Sequence, residues 1–369
     1  MLHILAPTRE GGLERVVTMI AARQIGEGVH VAAVLEPDTE INHPFISRLE
    51  ARHVPVTRIV VGARSYLREY QSLRALIAQL KPAVVHTHGY RADVIGAAAA
   101  RHHRVPAVST VHGFTGGSIR NRVNELVQCL ALRRSTAVIA VAEPIVGRLT
   151  AAGVSRSKIY CIPNGFTLAT DRLERSVARR QLRLSDGRLV AGWVGRLSRE
   201  KGADVMLEAL AHCDPRWSLS MIGEGPERNE LLRLCNDLGL GERVTWHGAV
   251  ANAGSLFSAF NAFVLSSRTE GTPITLFEAM DASVPIVAAS VGGIPDVITA
   301  IHAILVPREQ PGAIARALDE IQRDPAAAVE RSMRARERLI SKFADSAWLQ
   351  AIDAVYQAAF ASSANHCRN

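Results

Sequence analysis

The sequence contains Gly192-Trp193-Val194-Gly195-Arg196-Leu197-Ser198-Arg199-Glu200-Lys201-Gly202, an apolar strand that runs into a loop with two cations. A second segment, Ser266-Ser267-Arg268-Thr269-Glu270-Gly271-Thr272-Pro273-Ile274-Thr275-Leu276-Phe277-Glu278-Ala279-Met280, follows an apolar strand at 262–265 and opens a short helix. The start of a helix offers free backbone N–H groups and the positive end of the helix dipole, which together bind anions. The two segments therefore predict a diphosphate site where Arg196, Lys201 and a helix N-terminus converge.

Two carboxylates, Glu270 and Glu278, lie in the second segment with seven residues between them. If Thr272 caps the helix and Pro273 is its first residue, Glu278 lies about two turns into the helix and Glu270 lies in the preceding loop. Carboxylates accept hydrogen bonds without donating them, so each can face a set of sugar hydroxyls. The alternative, an ordinary loop glutamate and an ordinary surface glutamate, is disfavoured by the two cations upstream.

The pattern Gly-Arg-Leu-x-x-x-Lys-Gly at 195–202, followed by Glu-x7-Glu, resembles the retaining nucleotide-sugar glycosyltransferases of family GT4. The resemblance implies an α/β protein of the GT-B fold, with two Rossmann-like parallel-sheet domains facing a central cleft. It implies an N-terminal, acceptor-side domain over residues 1–168, onto which a C-terminal helix within 345–369 packs back. Residues 169–344 would form the domain that binds the nucleotide sugar.

Hydrophobic patterning predicts the same architecture independently, because short apolar runs alternate with longer amphipathic stretches, as in βαβ units on a parallel sheet. Thirteen strands are predicted, at 2–5, 29–35, 56–61, 83–86, 107–111, 137–141, 159–162, 189–194, 219–222, 244–246, 262–265, 285–288 and 304–306.

Composition excludes several classes of protein. A chain of 369 residues with 48% hydrophobic and 21% charged residues is typical of two or three globular domains. No apolar run reaches transmembrane length, and the first five residues are typical of a strand rather than a signal peptide. The five cysteines are scattered without a C-x-x-C pair, which argues against a disulfide framework or a zinc site and predicts a cytoplasmic protein.

The positive charge lies in the first half of the chain. Residues 1–170 contain 20 Lys and Arg against 11 Asp and Glu, whereas residues 171–369 contain 23 against 24. A basic half of a chain attracts anionic partners. The charge therefore allows a lipid-linked or anionic acceptor, and it also allows a peripheral contact with the inner face of the membrane. An ordinary solvated basic surface fits the charge as well. Nucleic acid is not predicted, because no recognised module is present and aromatic residues are few.

Two further loops carry candidate residues in the first half. Gly11 and Gly12 follow the first strand, where adjacent glycines let the backbone approach a ligand closely; they resemble the Gly-Gly-x-Glu-Arg loop of GT4 enzymes. His112 falls just past the end of its strand, and the resemblance makes it the active-site histidine that contacts the donor sugar. His86 and His88 form a pair without an evident third ligand, so no metal is predicted.

The resemblance also assigns roles. It implies that Glu278 holds the ribose hydroxyls, that Glu270 contacts the donor sugar, and that the backbone N–H groups of Thr275 and Leu276 bind phosphate. The expected catalytic residues are His112, Arg196, Lys201 and Glu270. The expected donor-binding residues are Gly11, Gly12, Gly195, Arg196, Lys201, Gly223, Glu224, Val250, Glu270, Gly271, Thr272, Pro273, Ile274, Thr275, Leu276 and Glu278.

The resemblance thus implies a retaining hexosyltransferase, and no metal or other cofactor is expected. The enzyme would move a sugar from a nucleoside-diphosphate sugar, with UDP favoured because it is common in the family, to an acceptor hydroxyl in cell-surface polysaccharide or glycolipid synthesis. A non-hydrolysing UDP-sugar epimerase and a non-catalytic nucleotide-sugar-binding protein are the alternatives. The acceptor, the sugar, the linkage and the oligomeric state are not predicted.

Overall fold

The computed structural model describes residues 1–7, 11–39, 43–114, 119–170, 172–185 and 187–366. These residues form two compact units, one made of Met1–Gly165 with Asp345–Asn369 and the other of Phe166–Ala344. The first unit therefore ends at Gly165, three residues before the predicted end of the N-terminal domain at residue 168. Among the described helices, none combines the length and hydropathy needed to cross a bilayer.

The first unit is built on a seven-stranded parallel sheet in the order β3-β2-β1-β4-β5-β6-β7. Its strands are β1 (Leu2–Leu5), β2 (His30–Leu35), β3 (Val56–Val60), β4 (Val85–His88), β5 (Ala107–Val111), β6 (Ala137–Ala140) and β7 (Ile159–Cys161). Its helices are α1 (Gly12–Arg23), α2 (Pro44–Glu50), α3 (Tyr66–Leu80), a π-helical turn (Ala92–Gly96) that continues into α4 (Ala97–His102), α5 (Ile119–Leu132), α6 (Glu143–Ala151) and the C-terminal helix, which is numbered α14 below (Asp345–His366).

The second unit is built on a six-stranded parallel sheet in the order β10-β9-β8-β11-β12-β13. Its strands are β8 (Leu189–Val194), β9 (Trp217–Ile222), β10 (Val244–Trp246), β11 (Ala262–Leu265), β12 (Ile286–Ala289) and β13 (Ile304–Val306). Its helices are α7 (Arg175–Gln181), α8 (Ala203–His212), α9 (Arg228–Asp237), α10 (Ile274–Asp281), α11 (Ile294–Val297), α12 (Pro311–Arg323) and α13 (Pro325–Lys342).

The predicted fold of two Rossmann-like parallel sheets is confirmed. Each of the thirteen predicted strands is present, with bounds that differ by at most two residues. The strand predicted at 83–86 lies instead at Val85–His88, because its parallel neighbour β1 begins pairing only where Leu2 meets Val85. Central strands such as β1 and β5 are buried along their whole length, as both faces of a covered parallel sheet require.

A buried carboxyl lies beside the first sheet. Asp93, in the π-helical turn, accepts hydrogen bonds from Thr87 Oγ1 at 2.6 Å and from Gln128 Nε2 at 2.7 Å. Removal from water outweighs these hydrogen bonds and raises the pKa of Asp93 to about 7. The folded protein therefore keeps this carboxyl protonated at pH values at which the carboxyl of an unfolded chain is ionised.

Asp93→Asn should make the free energy of unfolding less dependent on pH. The folded carboxyl keeps its proton up to about pH 7, while the unfolded carboxyl loses it near its ordinary pKa of 3.8. The unfolded state binds fewer protons in that window, so the wild-type free energy of unfolding falls as pH rises through it and levels off above it. Relative to wild type, the variant should gain a few kcal/mol between about pH 4 and about pH 8 in urea titrations.

Asp38→Asn is the matched control, because Asp38 is an exposed carboxyl in the same unit. Its urea curves should follow the wild type at each pH. Parallel pH dependence in wild type and Asp93→Asn would contradict the assignment of a proton to the buried Asp93.

Candidate functional site

The second unit places its candidate site where the strand order reverses, between the neighbouring strands β8 and β11. Loops leave the carboxyl ends of these two strands, and in open parallel sheets this is where ligands bind. Hydrogen bonds join the two segments: Trp193 Nε1, near the end of β8, donates to Ser266 Oγ at 3.1 Å, and Ser266 Oγ donates to the carbonyl of Gly202 at 2.7 Å. The two segments that predicted the site from sequence therefore meet in space.

An ion pair connects the same loops. Lys201 Nζ lies 2.8 Å from each carboxylate oxygen of Glu270, and Ser267 Oγ donates to Oε1 of that carboxylate at 2.7 Å. The Glu270 side chain is only 6% exposed, while that of Lys201 is 30% exposed. The carboxylate thus holds the ammonium in one place while leaving part of it open to solvent.

Gly202 makes the approach of these loops possible. A Cβ added there would lie 2.2 Å from the carbonyl oxygen of Ser266, and the backbone has a φ of +63° that favours glycine. The glycine that ends the Gly-Arg-Leu-x-x-x-Lys-Gly pattern is therefore required for packing as well as for conformation.

Arg196, the second predicted cation, behaves differently from Lys201. Its side chain is exposed in the loop after β8, and its guanidinium has no hydrogen bond or ion pair within the described part of the chain. The structure thus brings Lys201 and Glu270 together but does not tie Arg196 to them. An exposed guanidinium beside this loop is available to an anion arriving from solvent.

The helix after β11 begins one residue later than predicted. Pro273 has an extended backbone and caps α10, so Ile274 rather than Pro273 is the first helical residue. Of the two N–H groups expected to bind phosphate, that of Leu276 donates to the carbonyl of Pro273 at 3.1 Å. Glu278 is 6% exposed, and a Cβ at Gly254 would lie 2.4 Å from its Oε1, so this glycine leaves room for the carboxylate.

The loop after β11 is also fixed by the loop after β12. The N–H of Gly293 donates to the carbonyls of Glu270 at 3.3 Å and Gly271 at 3.2 Å. Gly271 and the Thr272 that follows it are both buried. The predicted donor-binding residues 270–273 therefore form the turn that leads into α10, and residues 274–276 form the start of that helix.

The predicted base-side loops lie at the same edge of the sheet. Gly223 donates its N–H to the carbonyl of Gly248 at 2.8 Å, and a Cβ at Gly223 would lie 1.8 Å from the carbonyl oxygen of Gly195. The carbonyl of Glu224 accepts the N–H of Leu197 at 3.0 Å. The structure thus groups Gly195, Gly223 and Glu224, with the half-buried Val250 two residues beyond Gly248.

In the first unit, the glycine loop lies between β1 and α1. Gly11 caps α1 and Gly12 is its first residue, so the pair forms the start of a helix at the carboxyl end of β1. A Cβ at Gly11 would lie 2.8 Å from Glu14 Oε2. Residues 8–10 of this predicted loop lie outside the described residues, as do residues 115–118 of the loop after His112.

His112 follows β5 and is joined to other imidazoles. Its Nε2 lies 3.3 Å from Nδ1 of His88, and His88 Nε2 lies 3.1 Å from Nδ1 of His3. His86 stacks beside His88, with ring centroids 4.0 Å apart. Burial lowers the pKa of His112 and of His3 to about 4, and lowers that of His86 and His88 well below the ordinary value.

His3 was not predicted from the sequence as a partner of the other histidines. The expectation that His86 and His88 have no third ligand nearby was wrong, since one ring nitrogen of each of the three residues lies within 4.8 Å of the others. The sequence does contain an indication of this cluster. His86 and His88 are two residues apart on β4, so their side chains lie on the same face, and His3 is paired with His86 in the neighbouring parallel strand β1. Reading this indication required the knowledge that β1 and β4 are neighbours. The absence of a metal stays a prediction.

Comparisons with known proteins cover both units. Residues 10–170 match the family model described as Glycosyltransferase Family 4, and residues 174–340 match the model described as Glycosyl transferases group 1. The chain is 27% identical to D-inositol 3-phosphate glycosyltransferase 1 of Catenulispora acidiphila, over 95% of this chain and 91% of that protein. It is 28% identical to the UDP-Gal:alpha-D-GlcNAc-diphosphoundecaprenol alpha-1,3-galactosyltransferase of Escherichia coli, over 62% of this chain and 64% of that protein.

Solved structures share the fold. Anabaena Alr3699/HepE, crystallised in complex with UDP-glucose, superposes with a TM-score of 0.88 at 22% identity. The match covers 96% of this chain and 98% of that one.

The Lys201–Glu270 pair should show strong coupling in a double-mutant cycle. Removing either partner leaves the other without its counter-charge in a site where Glu270 is almost buried, so each single variant should lower the free energy of unfolding. We expect a coupling energy of about 1–3 kcal/mol from Lys201→Met, Glu270→Gln and the double variant. Denaturant titration of the four proteins measures it.

The control cycle uses Arg216 and Asp214, an ion pair in the same unit whose side chains are 67% and 32% exposed. Its coupling should be much smaller, since solvent screens exposed charges. Equal coupling in the two cycles would show that the Lys201–Glu270 contact is only a surface pair.

Proposed function

Since the chain belongs to the GT4-type family of GT-B glycosyltransferases, we propose that it moves a hexose-type sugar from a nucleoside-diphosphate sugar to an acceptor hydroxyl with retention of configuration. The observation that carries the proposal is the ion pair of Lys201 with Glu270 at the strand-order switch of the second unit. A fixed, partly open ammonium beside a helix start is suited to a diphosphate, and the adjacent carboxylate is suited to sugar hydroxyls.

The chemistry follows from where charge develops. As the glycosidic bond breaks, negative charge grows on the departing diphosphate, and preorganised positive groups lower the barrier to that step. Lys201 would supply such a charge without reorganising, because Glu270 already holds it. Arg196, exposed in the same loop, would close onto the diphosphate when the donor binds. We propose that these cations and the start of α10 serve in place of a metal.

In the proposed retaining mechanism, the acceptor hydroxyl would attack the sugar from the same face that the diphosphate leaves. Among the described residues, His112 is hydrogen-bonded to the imidazole of His88 and to no carboxylate, so His112 is suited to contact the sugar directly. We propose that the departing phosphate accepts the proton of the incoming hydroxyl. Glu278, buried in the second turn of α10, would hold the ribose hydroxyls of the donor.

UDP-sugars are the donors to test first, because Anabaena Alr3699/HepE was crystallised with UDP-glucose. A lipid-linked acceptor is supported by the name of the E. coli relative, which specifies a diphosphoundecaprenol-linked sugar. We therefore propose a role in cell-surface polysaccharide or glycolipid synthesis, on the cytoplasmic side of the membrane.

Incubation with UDP-, GDP- and ADP-sugars, each with and without candidate acceptors, tests the reaction. Nucleotide release that depends on an acceptor, with a glycosylated product of unchanged anomeric configuration, is the expected result. Conversion of the donor sugar without any acceptor would indicate an epimerase instead. Donor binding without release of nucleotide would indicate a nucleotide-sugar-binding protein.

Arg196→Ala, Lys201→Ala and Glu278→Ala should each lower kcat/KM for the accepted donor by roughly 10- to 100-fold. That range corresponds to the loss of one charge-assisted hydrogen bond, about 1.5–3 kcal/mol. Steady-state nucleotide release measures it, with circular dichroism to confirm that each variant is folded. Arg216→Ala is the matched control, since this exposed arginine precedes β9 at the opposite edge of the sheet and should leave turnover unchanged. Near-normal turnover in all three test variants would remove the basis of the proposal.

We also propose that the first unit contacts an anionic membrane surface through α5. This helix exposes apolar side chains along one face at helical spacing: Ile119 is 82% exposed, Val123 53%, Leu126 61% and Leu130 43%. Arg122 within the helix and Arg134 just beyond it are also exposed. Apolar side chains beside cations, in the half of the chain that carries the excess positive charge, are suited to a surface of acidic phospholipid.

Leu126→Glu should weaken binding to phosphatidylcholine vesicles that contain phosphatidylglycerol by about tenfold or more, because a buried leucine contributes roughly 1.5–3 kcal/mol. Vesicle co-sedimentation measures the change. Leu67→Glu is the control, since Leu67 is 69% exposed on α3 of the same unit and should have little effect. Equal binding to vesicles with and without the acidic lipid would contradict the preference for an anionic surface. Self-association through α5 in light scattering, without vesicle binding, would contradict a membrane role.

A further inference from the structure

An unbroken line of hydrogen bonds runs through the first unit from His112 to α14. His112 Nε2 meets His88 Nδ1 at 3.3 Å, His88 Nε2 meets His3 Nδ1 at 3.1 Å, and His3 Nε2 meets Gln24 Oε1 at 3.0 Å. The amide nitrogen of Gln24 then donates to Asp353 Oδ1 at 3.4 Å. The three middle residues are buried, while His112 and Asp353 at the two ends are partly exposed.

The carboxylate of Asp353 at one end of the line determines which atom donates and which accepts in each hydrogen bond. A carboxylate only accepts hydrogen bonds, so Gln24 must turn its NH₂ toward Asp353 and its oxygen toward His3. His3 must then donate from Nε2 to that oxygen. A neutral imidazole has one donor and one acceptor nitrogen, which leaves Nδ1 of His3 as an acceptor.

The same rule sets the next two rings. Burial lowers the pKa of His3, His88 and His112 well below neutrality, so each ring is neutral at pH 7. His88 donates from Nε2 to His3 and accepts at Nδ1, and His112 donates from Nε2 to His88. His112 is then left with a bare lone pair on Nδ1, for which the described residues supply no hydrogen bond.

We propose that this line, called here the imidazole relay (His112, His88, His3, Gln24 and Asp353), fixes His112 as the Nε2–H tautomer and keeps its Nδ1 as an acceptor for a hydroxyl of the bound sugar. His88, His3, Gln24 and Asp353 are positioning residues that act through His112. The tautomer follows from the hydrogen bonds of the neutral rings, whereas the contact with a sugar hydroxyl rests on the proposed function.

His86 supports the relay from the side and is not part of it. Its Nδ1 is hydrogen-bonded to the hydroxyl of Tyr356 at 2.7 Å and its Nε2 to Thr110 Oγ1 at 2.7 Å. Both ring nitrogens of His3 and His88 are engaged as well. All six nitrogens of the possible metal cluster therefore already have partners, which favours a hydrogen-bond line over a metal site.

Reversal of the relay requires a hydrogen-bond donor at position 353, which the carboxylate of Asp353 does not supply. In the reversed line, His88 would donate from Nδ1 to His112, whose Nδ1 would then carry the proton and could no longer accept. That arrangement requires Gln24 to turn its oxygen toward Asp353, where two acceptors would face each other. Asp353→Asn supplies a donor at that position and so permits both directions.

The test is the tautomer of His112 in full-length protein labelled with ¹⁵N-histidine, read from long-range ¹H–¹⁵N spectra and assigned with His112→Gln. Wild type should show His112 as neutral Nε2–H. Asp353→Asn should give a mixture with Nδ1–H, although its substitution lies four hydrogen bonds from the ring. Glu27→Gln is the matched control, because it removes an equal charge from an exposed neighbour of Asp353 outside the relay and should leave His112 unchanged.

Two spectroscopic outcomes would overturn the relay: an Nδ1–H or charged His112 in wild type, or an unaltered His112 spectrum in Asp353→Asn. His88→Phe provides a second variant that keeps a planar ring but removes both hydrogen bonds, and His112 should then lose its tautomer preference. If that variant does not fold, Asp353→Asn at the partly exposed end of the relay still decides the question.

Kinetics separate positioning from structure. With UDP-glucose as the probe, His88→Phe should lower kcat for UDP release about tenfold, the equivalent of one lost hydrogen bond, with little change in KM. Asp353→Asn should lower kcat by a smaller factor, set by its Nδ1–H fraction. Unchanged kcat in both variants would overturn the positioning role even if the tautomers are as expected. Failure of the wild type to release nucleotide from any sugar donor would instead count against the proposed function, and the spectra would still decide the relay.

Discussion

An ammonium held against an almost buried carboxylate joins the two loops on which the second unit depends. Lys201 and Glu270 are 69 residues apart in sequence, yet one follows β8 and the other follows β11, which are neighbours in the sheet. Parallel strands bring the ends of distant segments to one edge, and the reversal of strand order opens a crevice there. The ion pair then fixes how the two loops sit, because the almost buried carboxylate of Glu270 would be unfavourable without its partner.

Close backbone contact is the second requirement of that site. Gly202 and Gly223 each lie where a Cβ would come within 2.2 Å or less of a carbonyl oxygen from a neighbouring loop. These contacts bring the loops after β8, β9 and β11 together, so that the predicted phosphate and base segments share one edge of the sheet. The glycines of the motif therefore act through packing, and the charged residues depend on that packing for their positions.

The candidate residues are charged in the second unit and neutral in the first. The second unit presents a fixed ammonium and an exposed guanidinium, which suits a ligand that gains negative charge. The first unit surrounds His112 with neutral rings and removes water from them, which lowers the pKa of each imidazole. An uncharged histidine can accept as well as donate a hydrogen bond, and the proposed contact with a sugar hydroxyl uses the acceptor nitrogen.

The strands, the class of fold and the two charged loops could be predicted without knowledge of the tertiary structure. Hydrophobic periodicity is local, and so are the glycine and charge spacings at 195–202 and 270–278, so these features could be read without coordinates. The sequence also identified His112 as the end of a strand at the binding edge, but it left His3 aside and treated His86 and His88 as an isolated pair.

The partners of these residues, in contrast, are set by the tertiary structure. His3, His88, Gln24 and Asp353 come from β1, β4, the end of α1 and α14, and nothing in their local sequence indicates that they form one line. Likewise, the pairing of Lys201 with Glu270 and the exposure of Arg196 distinguish two cations that look equivalent in the motif. The reason is physical: hydrogen bonds and ion pairs depend on distances of a few ångströms between segments far apart in the chain, and strand order and burial set those distances.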